Sequence, residues 1–271
     1  MHSSWSRQVL GTQSGKTKSV IRMSTLTEQE FRFLEESCRF VAGEAEVEDT
    51  ISLHSLIYSG TESYLTKVKA GLGTNEMDVA ASLLMKRLGF LAVNCLLSMT
   101  AFNKTLKVDP ANIWIDSYVE NDVWLPKLRY TEVQAVKVTK FETREEWRTQ
   151  HFNELFNGVF APLIQRMSKE AKVSRQTLWE NVVLYIYWMY ESILPNQQLD
   201  APYQEEDFTS LLEADPALFG MKRNPAAMFY KPKTFVEQHQ AEIRMRTTCC
   251  YYYKTNSEGT RCSTCPLNCN V

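Results

Sequence analysis

Five of the seven cysteines in this chain crowd into its last 23 residues, at Cys249, Cys250, Cys262, Cys265 and Cys269. The first two are adjacent, eleven residues follow, and then comes Cys262-Ser-Thr-Cys265, with Cys269 after Pro-Leu-Asn. Cys38 and Cys95 lie instead in apolar, helix-like surroundings and read as small core hydrophobes. A terminal cluster has no such explanation. Four thiolates within seventeen residues make a soft-metal site, and that constrains how the end of this chain folds.

The spacing bears on which metal. Structural zinc takes ligand pairs spaced C-x2-4-C, and Cys262/Cys265 fits that rule. Adjacent cysteines fit it poorly, because neighbouring side chains on an extended backbone diverge. A [2Fe–2S] cluster relaxes the problem, since each of its two irons needs two protein sulfurs. Cys262 and Cys265 can serve one iron with Cys249 and Cys250 on the other, or the pairs can be split. Iron–sulfur is the favoured reading, ahead of zinc and then of disulfides, which the lack of an apolar secretory signal disfavours.

The segment Arg246-Thr-Thr-Cys249-Cys250-Tyr-Tyr-Tyr, followed by Arg261-Cys262-Ser-Thr-Cys265-Pro266, resembles the C-terminal signature of the FhuF-like ferric-siderophore reductases. In that family a C-C-x10-C-x2-C arrangement holds a [2Fe–2S] cluster, and siderophore-bound Fe(III) is reduced so that iron is released. The resemblance implies Cys249, Cys250, Cys262 and Cys265 as cofactor ligands. It covers about the last 25 residues. The spacer here is eleven residues rather than ten, and a turn through Asn256, Ser257, Glu258 and Gly259 can absorb the insertion. Cys269 is a spare thiol or a replacement for one of the four.

With 271 residues and 44% hydrophobic content, the chain can bury a substantial core. Its net charge of −2 argues against a general nucleic-acid binder. The longest apolar stretches, Gly89–Leu97 and Val182–Tyr190, fall short of a bilayer span, and no apolar segment opens the chain, so a cytoplasmic protein is expected. Residues 1–22 are polar and mildly basic and read as a disordered tail.

In the body, Thr27 and Glu30 form a capping-box pair before a helix expected to reach about Val41. A long helical tract from Asn75 to about Ala101, with a break near Gly89, is apolar enough to be a central buried helix. Thr105–Val108, Ile113–Val119, Trp124–Tyr130 and Val133–Val138 carry the β-branched and aromatic pattern of an antiparallel meander. Glu145–Lys172 and Ser174–Leu194 read as strong helices, and Glu205–Ala214 as a shorter one. The expected fold is α+β: a helix-rich body with one antiparallel β-meander and a C-terminal cysteine-rich iron–sulfur extension. The expected segments are the tail 1–22, an N-terminal part 23–140, a helical part 141–235 and the cluster-binding segment 236–271.

His151 reads as the polar edge of a packed face, and a Rieske-type site through His239 lacks its second histidine. Tyr251–Tyr253 read as packing for the cluster loop. Gly71-Leu-Gly73 lacks the third glycine of a dinucleotide fingerprint, so electrons must come from an external donor such as a ferredoxin or flavin reductase. Between Lys222 and Arg261 eight Lys or Arg face three acids, a local surplus of +5. Arg246, Arg261, Lys254 and Arg244 are therefore candidates for tuning a cluster or docking an anionic chelate. The expected activity is one-electron reduction of a ferric siderophore of hydroxamate or citrate type, without acid–base catalysis. The alternatives are a zinc-stabilised scaffold module or a [2Fe–2S] iron-status sensor.

Overall fold

The computed structural model describes residues 26–121, 123–137, 143–197, 199–256 and 258–268. The basic N-terminal tail, Ser257 and Cys269 lie outside the described residues. Thr27 opens α1 (Glu28–Ser37) with the capping box its sequence implies: Thr27 Oγ1 accepts from the Glu30 N–H while the Glu30 carboxylate accepts from the Thr27 N–H. The helix stops short of Val41 because Arg39 turns left-handed (φ 53°), and Phe40–Ala42 leaves as strand β1. Strand β2 (Thr50–Ser52) leads into α2 (Leu53–Tyr58), and α3 (Thr61–Leu72) ends at Gly73, whose φ of 64° suits a residue without Cβ.

Helix α4 (Met77–Phe102) is the axis of the molecule and is buried on nearly every side. It is longer than the apolar stretches visible in sequence. By length and composition alone it would cross a bilayer, with mean hydropathy 1.5 over its most apolar stretch, yet 89% of that stretch is buried inside the fold. It does not break at Gly89. A Cβ there would stand 2.7 Å from Tyr185 Cδ2, so glycine is what lets α7 (Arg175–Trp188) lie directly on α4.

The strand signals of residues 104–138 resolve into β3 (Lys104–Leu106), β4 (Ile113–Asp116), β5 (Val119–Glu120), β6 (Val123–Trp124), β7 (Lys127–Tyr130) and β8 (Ala135–Lys137). Antiparallel pairing of β4 with β7 holds, as does that of β3 with β8 and of β5 with β6. The main sheet, however, runs β1-β7-β4-β2, drawing its outer strands from before the central helix, with β1 parallel to β7. A buried bidentate pair, Arg129 to Asp116 at 2.7 and 3.2 Å, staples its centre.

The expected helix 145–172 is one continuous helical run. It begins as α5 (Arg144–Phe152), widens into π-helical turns over Asn153–Phe160, and tightens again as α6 (Ala161–Ala171). Pro162 supplies no N–H to the i→i−4 ladder, and the widened turns absorb the gap. Ser174 caps α7 through the Gln176 N–H. After α7 the chain widens again at Met189–Ile193 before α8 (Leu194–Asn196), α9 (Gln204–Glu213), α10 (Pro225–Met228) and the hairpin β9 (Thr234–Val236) and β10 (Ala241–Ile243). Fully buried Asp207 holds α9 to the body by accepting from Arg144, Arg148 and Thr100. One apolar core extends from Leu26 to Phe229, and the cysteine-bearing segment folds back onto it.

Candidate metal centre

The segment after β10 is short of regular structure, so its backbone must be held by specific partners. The Arg246 N–H donates to the Thr264 carbonyl at 3.0 Å, which ties the Cys249/Cys250 strand to the Cys262/Cys265 turn. That turn is closed by the Cys265 N–H donating to the Cys262 carbonyl, also at 3.0 Å. Tyr251 adopts φ 63°, reversing the chain after the adjacent cysteines, and its N–H donates to Cys249 Sγ at 3.3 Å.

The result is a crossed arrangement of sulfurs. Cys250 Sγ lies 3.9 Å from Cys262 Sγ, and Cys249 and Cys265 are near enough for the Cys265 thiol to raise that of Cys249. Tetrahedral thiolate–metal bonds of about 2.3 Å place two sulfurs ~3.8 Å apart, so the Cys250/Cys262 spacing suits two ligands of one ion. Among the described residues no three His, Cys, Asp or Glu side chains gather around a single ion. The thiols are grouped as pairs. Cys250 and Cys265 are buried, whereas Cys249 and Cys262 are half-buried.

The anchors of this loop come from two core helices. Glu180, 1% exposed, accepts from the Thr247 N–H (2.6 Å), the Thr248 N–H (2.7 Å) and the Thr248 hydroxyl, with Arg246 Nη2 3.6 Å away. Asn181 accepts from Arg246 Nη2 at 2.7 Å and donates to the Ser82 carbonyl and hydroxyl. Ser82 Oγ in turn donates to the Cys250 carbonyl at 2.9 Å. In this relay from Glu180 through Arg246 and Asn181 to Ser82 each buried polar group is satisfied by the next, which is what makes such a network rigid rather than costly.

Charge around the sulfurs is asymmetric. The Cys250 thiol is pulled down to about 5, chiefly by the Cys262 thiol donating to its sulfur and further by the Lys86 and Arg246 charges, against the opposing effect of burial. Cys262 is pushed up as the donor in that contact, and burial pushes Cys249 up. Lys86, on α4, also stands 5.7 Å from the Tyr252 ring centroid.

The basic run seen in sequence is not one surface. Arg246 is buried against Glu180 and Asn181. Arg244 is also buried: it pairs with Glu191, donates to the Lys231 carbonyl and stacks over Tyr230, fixing the β9–β10 hairpin to the end of the α7 run. Lys233 shares Glu191, and Lys254 pairs with Glu76. Arg261 stays exposed, donates to the Leu267 carbonyl and stands over Tyr253. Charge counted along the chain missed these distant carboxylates. His239 is exposed at the hairpin tip. His151 is not an edge residue: it is 2% exposed, with Nε2 3.4 Å from the Cys95 carbonyl, and burial lowers its pKa to about 4. Tyr251 packs against the core as expected.

A helix-rich α+β body carrying a C-terminal loop of paired thiols defines the class as a protein with a thiolate metal centre. The family model described as "Ferric iron reductase FhuF-like transporter" matches residues 110–242, and the model described as "FhuF 2Fe-2S C-terminal domain" matches residues 246–267. The chain belongs to the FhuF-like ferric iron reductase family, and its cofactor is a [2Fe–2S] cluster. The second match takes in Arg246 and four cysteines and ends before Cys269. A search of the curated proteins finds no match.

Proposed function

We propose that this protein is a ferric-siderophore reductase in which Cys249, Cys250, Cys262 and Cys265 hold the cluster, Cys250 and Cys262 on one iron and Cys249 and Cys265 on the other. The observation that carries the reading is the crossed sulfur pairing, with Cys250 and Cys262 at 3.9 Å. The bound cluster supplies one-electron redox chemistry, delivered without a bond to the substrate iron.

The chain's own residues do the positioning. Glu180, Asn181 and Ser82 fix the loop from the core side, so that Cys250 and Cys265 face inward while Cys249 and Cys262 face the partly exposed rim. Arg246 holds a positive charge beside the adjacent cysteines, where it favours the more negative, reduced state. The Tyr251 N–H donates to the Cys249 sulfur, with the same effect. No acid–base pair is required. The substrate is ferric iron held by hard hydroxamate or citrate-type oxygens, and its reduction to Fe(II) weakens that chelate and releases the metal. Electrons come from an external donor of ferredoxin or flavin-reductase type. The segment 236–271 acts as the cluster-binding extension of the body, and the protein works in the cytoplasm.

The test is anaerobic turnover of a ferric hydroxamate siderophore with a colorimetric Fe(II) trap. Reduced holoprotein is expected to generate Fe(II), and a Cys262→Ser variant is not. Cluster-loaded wild-type protein that produces no Fe(II) from any ferric siderophore would refute the assignment.

A further inference from the structure

Arg39 is placed where a simple structural role does not account for it. It sits at the α1–β1 junction with φ 53°, its carbonyl accepting from the Leu128 N–H at 2.9 Å. Its guanidinium lies 5.3 Å from the Phe90 ring centroid, and its buried Nε has no hydrogen-bond partner. Arg87 stands three residues before Phe90 on α4, on the same helix face. The affinity of Arg39 for its proton is lowered, first by burial and then by Arg87, while Tyr185 and Glu120 act in the opposite sense. Arg39 and Arg87 are thus near enough to repel each other.

Lys86 continues this face toward the sulfurs: it contacts the Tyr252 ring and lies one turn beyond Ser82, whose hydroxyl donates to the Cys250 carbonyl. Arg129, Arg144, Arg148, Arg244 and Arg246 all have carboxylate partners. Among the described residues, none forms an ion pair with Arg39, Lys86 or Arg87. Beside these cations lies an aromatic rim: Phe90 is 4.8 Å from Tyr185 and 5.9 Å from Trp188, centroid to centroid, and Trp188 is 36% exposed. From Lys86 to Phe90 is one helical turn, about 6 Å.

We propose that Arg39, Lys86 and Arg87, with the Phe90–Tyr185–Trp188 rim, form the docking site for an anionic ferric chelate of the carboxylate class, within reach of Cys250. The proposal rests on the reductase reading and adds the substrate site and its charge preference. Guanidinium forks recognise carboxylates bidentately, and the rings offer flat apolar surface to the body of the chelate. The unpaired Arg39 Nε lies below the surface, where a slender carboxylate arm reaches more readily than a broad protein face.

The test uses oxidised holoprotein and the redox-silent Ga(III)–citrate complex, with binding followed by calorimetry in wild type, Lys86→Gln and Arg87→Gln. Unchanged visible spectra establish that each variant is folded and loaded. Each substitution is expected to weaken binding about tenfold, the effect of one lost charge-assisted contact. Binding of an uncharged Ga(III)–hydroxamate complex is expected to change by less than about twofold, well below that loss. Equal affinity in wild type and both variants, equal loss for the uncharged complex, or no binding by wild type would overturn the proposal. So would loss of electron uptake from an acidic protein donor with gallium binding intact, because that assigns the face to the donor. Binding through these residues without reduction of any ferric chelate would instead remove the reductase reading and leave the anion site standing.

Discussion

Replacing Glu180 with alanine probes whether the cluster loop is held from the core or holds itself. In the native fold this carboxylate accepts from two backbone N–H groups and one hydroxyl of Thr247 and Thr248 and faces the Arg246 guanidinium at 3.6 Å. Glu180→Ala leaves Arg246, whose side chain is 1% exposed, with only Asn181 and the Thr248 carbonyl. Orphaning one member of a buried ion pair costs about 3–5 kcal/mol. At roughly 2–4 °C per kcal/mol for a chain of this size, the melting temperature should fall by on the order of 10 °C. The assay is paired thermal melts of the holoprotein, far-ultraviolet circular dichroism for the body and visible absorbance for the cluster, with colour lost before or with the fold. Glu180→Ala/Arg246→Met removes both charges and should recover part of the loss, since a buried pair replaced by apolar groups is often close to neutral. A single variant within about 1 kcal/mol of wild type, with its colour equally persistent, would refute the anchoring argument.

Mild oxidation of cluster-free protein, followed by peptide mass mapping, should yield a Cys250–Cys262 disulfide, the sulfurs being 3.9 Å apart; a dominant Cys249–Cys250 link would contradict the crossed pairing. Cys269→Ser should leave the visible spectrum unchanged, because four ligands suffice and the matched cluster domain ends at residue 267. Gly89→Ala places a methyl group 2.7 Å from Tyr185 Cδ2; overpacking of about 1–3 kcal/mol outweighs a helix-propensity gain of about 1 kcal/mol, so thermal melts should show a drop of a few degrees rather than a gain. His151 is held neutral by burial, its folded pKa of about 4 lying below the unfolded 6.5. The unfolded chain therefore binds the extra proton first, and about 3 kcal/mol of stability, fully present above pH 6.5, is lost as pH falls toward 4. Denaturant titrations across that window should show a shallower pH dependence in His151→Leu, and an identical slope would refute the assignment.

How much of this was legible in the sequence depends on distance along the chain. The cysteines lie within one short segment, so their spacing alone pointed to the cofactor class, and the Thr27–Glu30 cap and the apolar run of α4 were equally local. Strands β1 and β2 were missed because three residues are too few to show a period of two, and an acidic stretch through Glu44, Glu46 and Glu48 separates them. Gly89 suggested a break because glycine is a poor helix former, whereas its use is the close approach of Tyr185, a contact from 96 residues away. The loop's anchors were hidden for a similar reason. Ser82 lies 168 residues before Cys250, and Glu180 lies 67 before Thr247. A signal did exist: polar residues embedded in otherwise apolar helical stretches need buried partners. The basic run misled because its neutralising carboxylates, Glu76, Glu180 and Glu191, lie far from it in sequence.

The most direct test of the central claim is an anaerobic titration of dithionite-reduced, desalted holoprotein with a ferric siderophore, following visible absorbance and assaying protein-bound iron and sulfide at the end. Colour is expected to return in proportion to the chelate added, with two irons and two sulfides still bound per chain. Protein that stays bleached, or that regains colour only by losing its cluster, would contradict it.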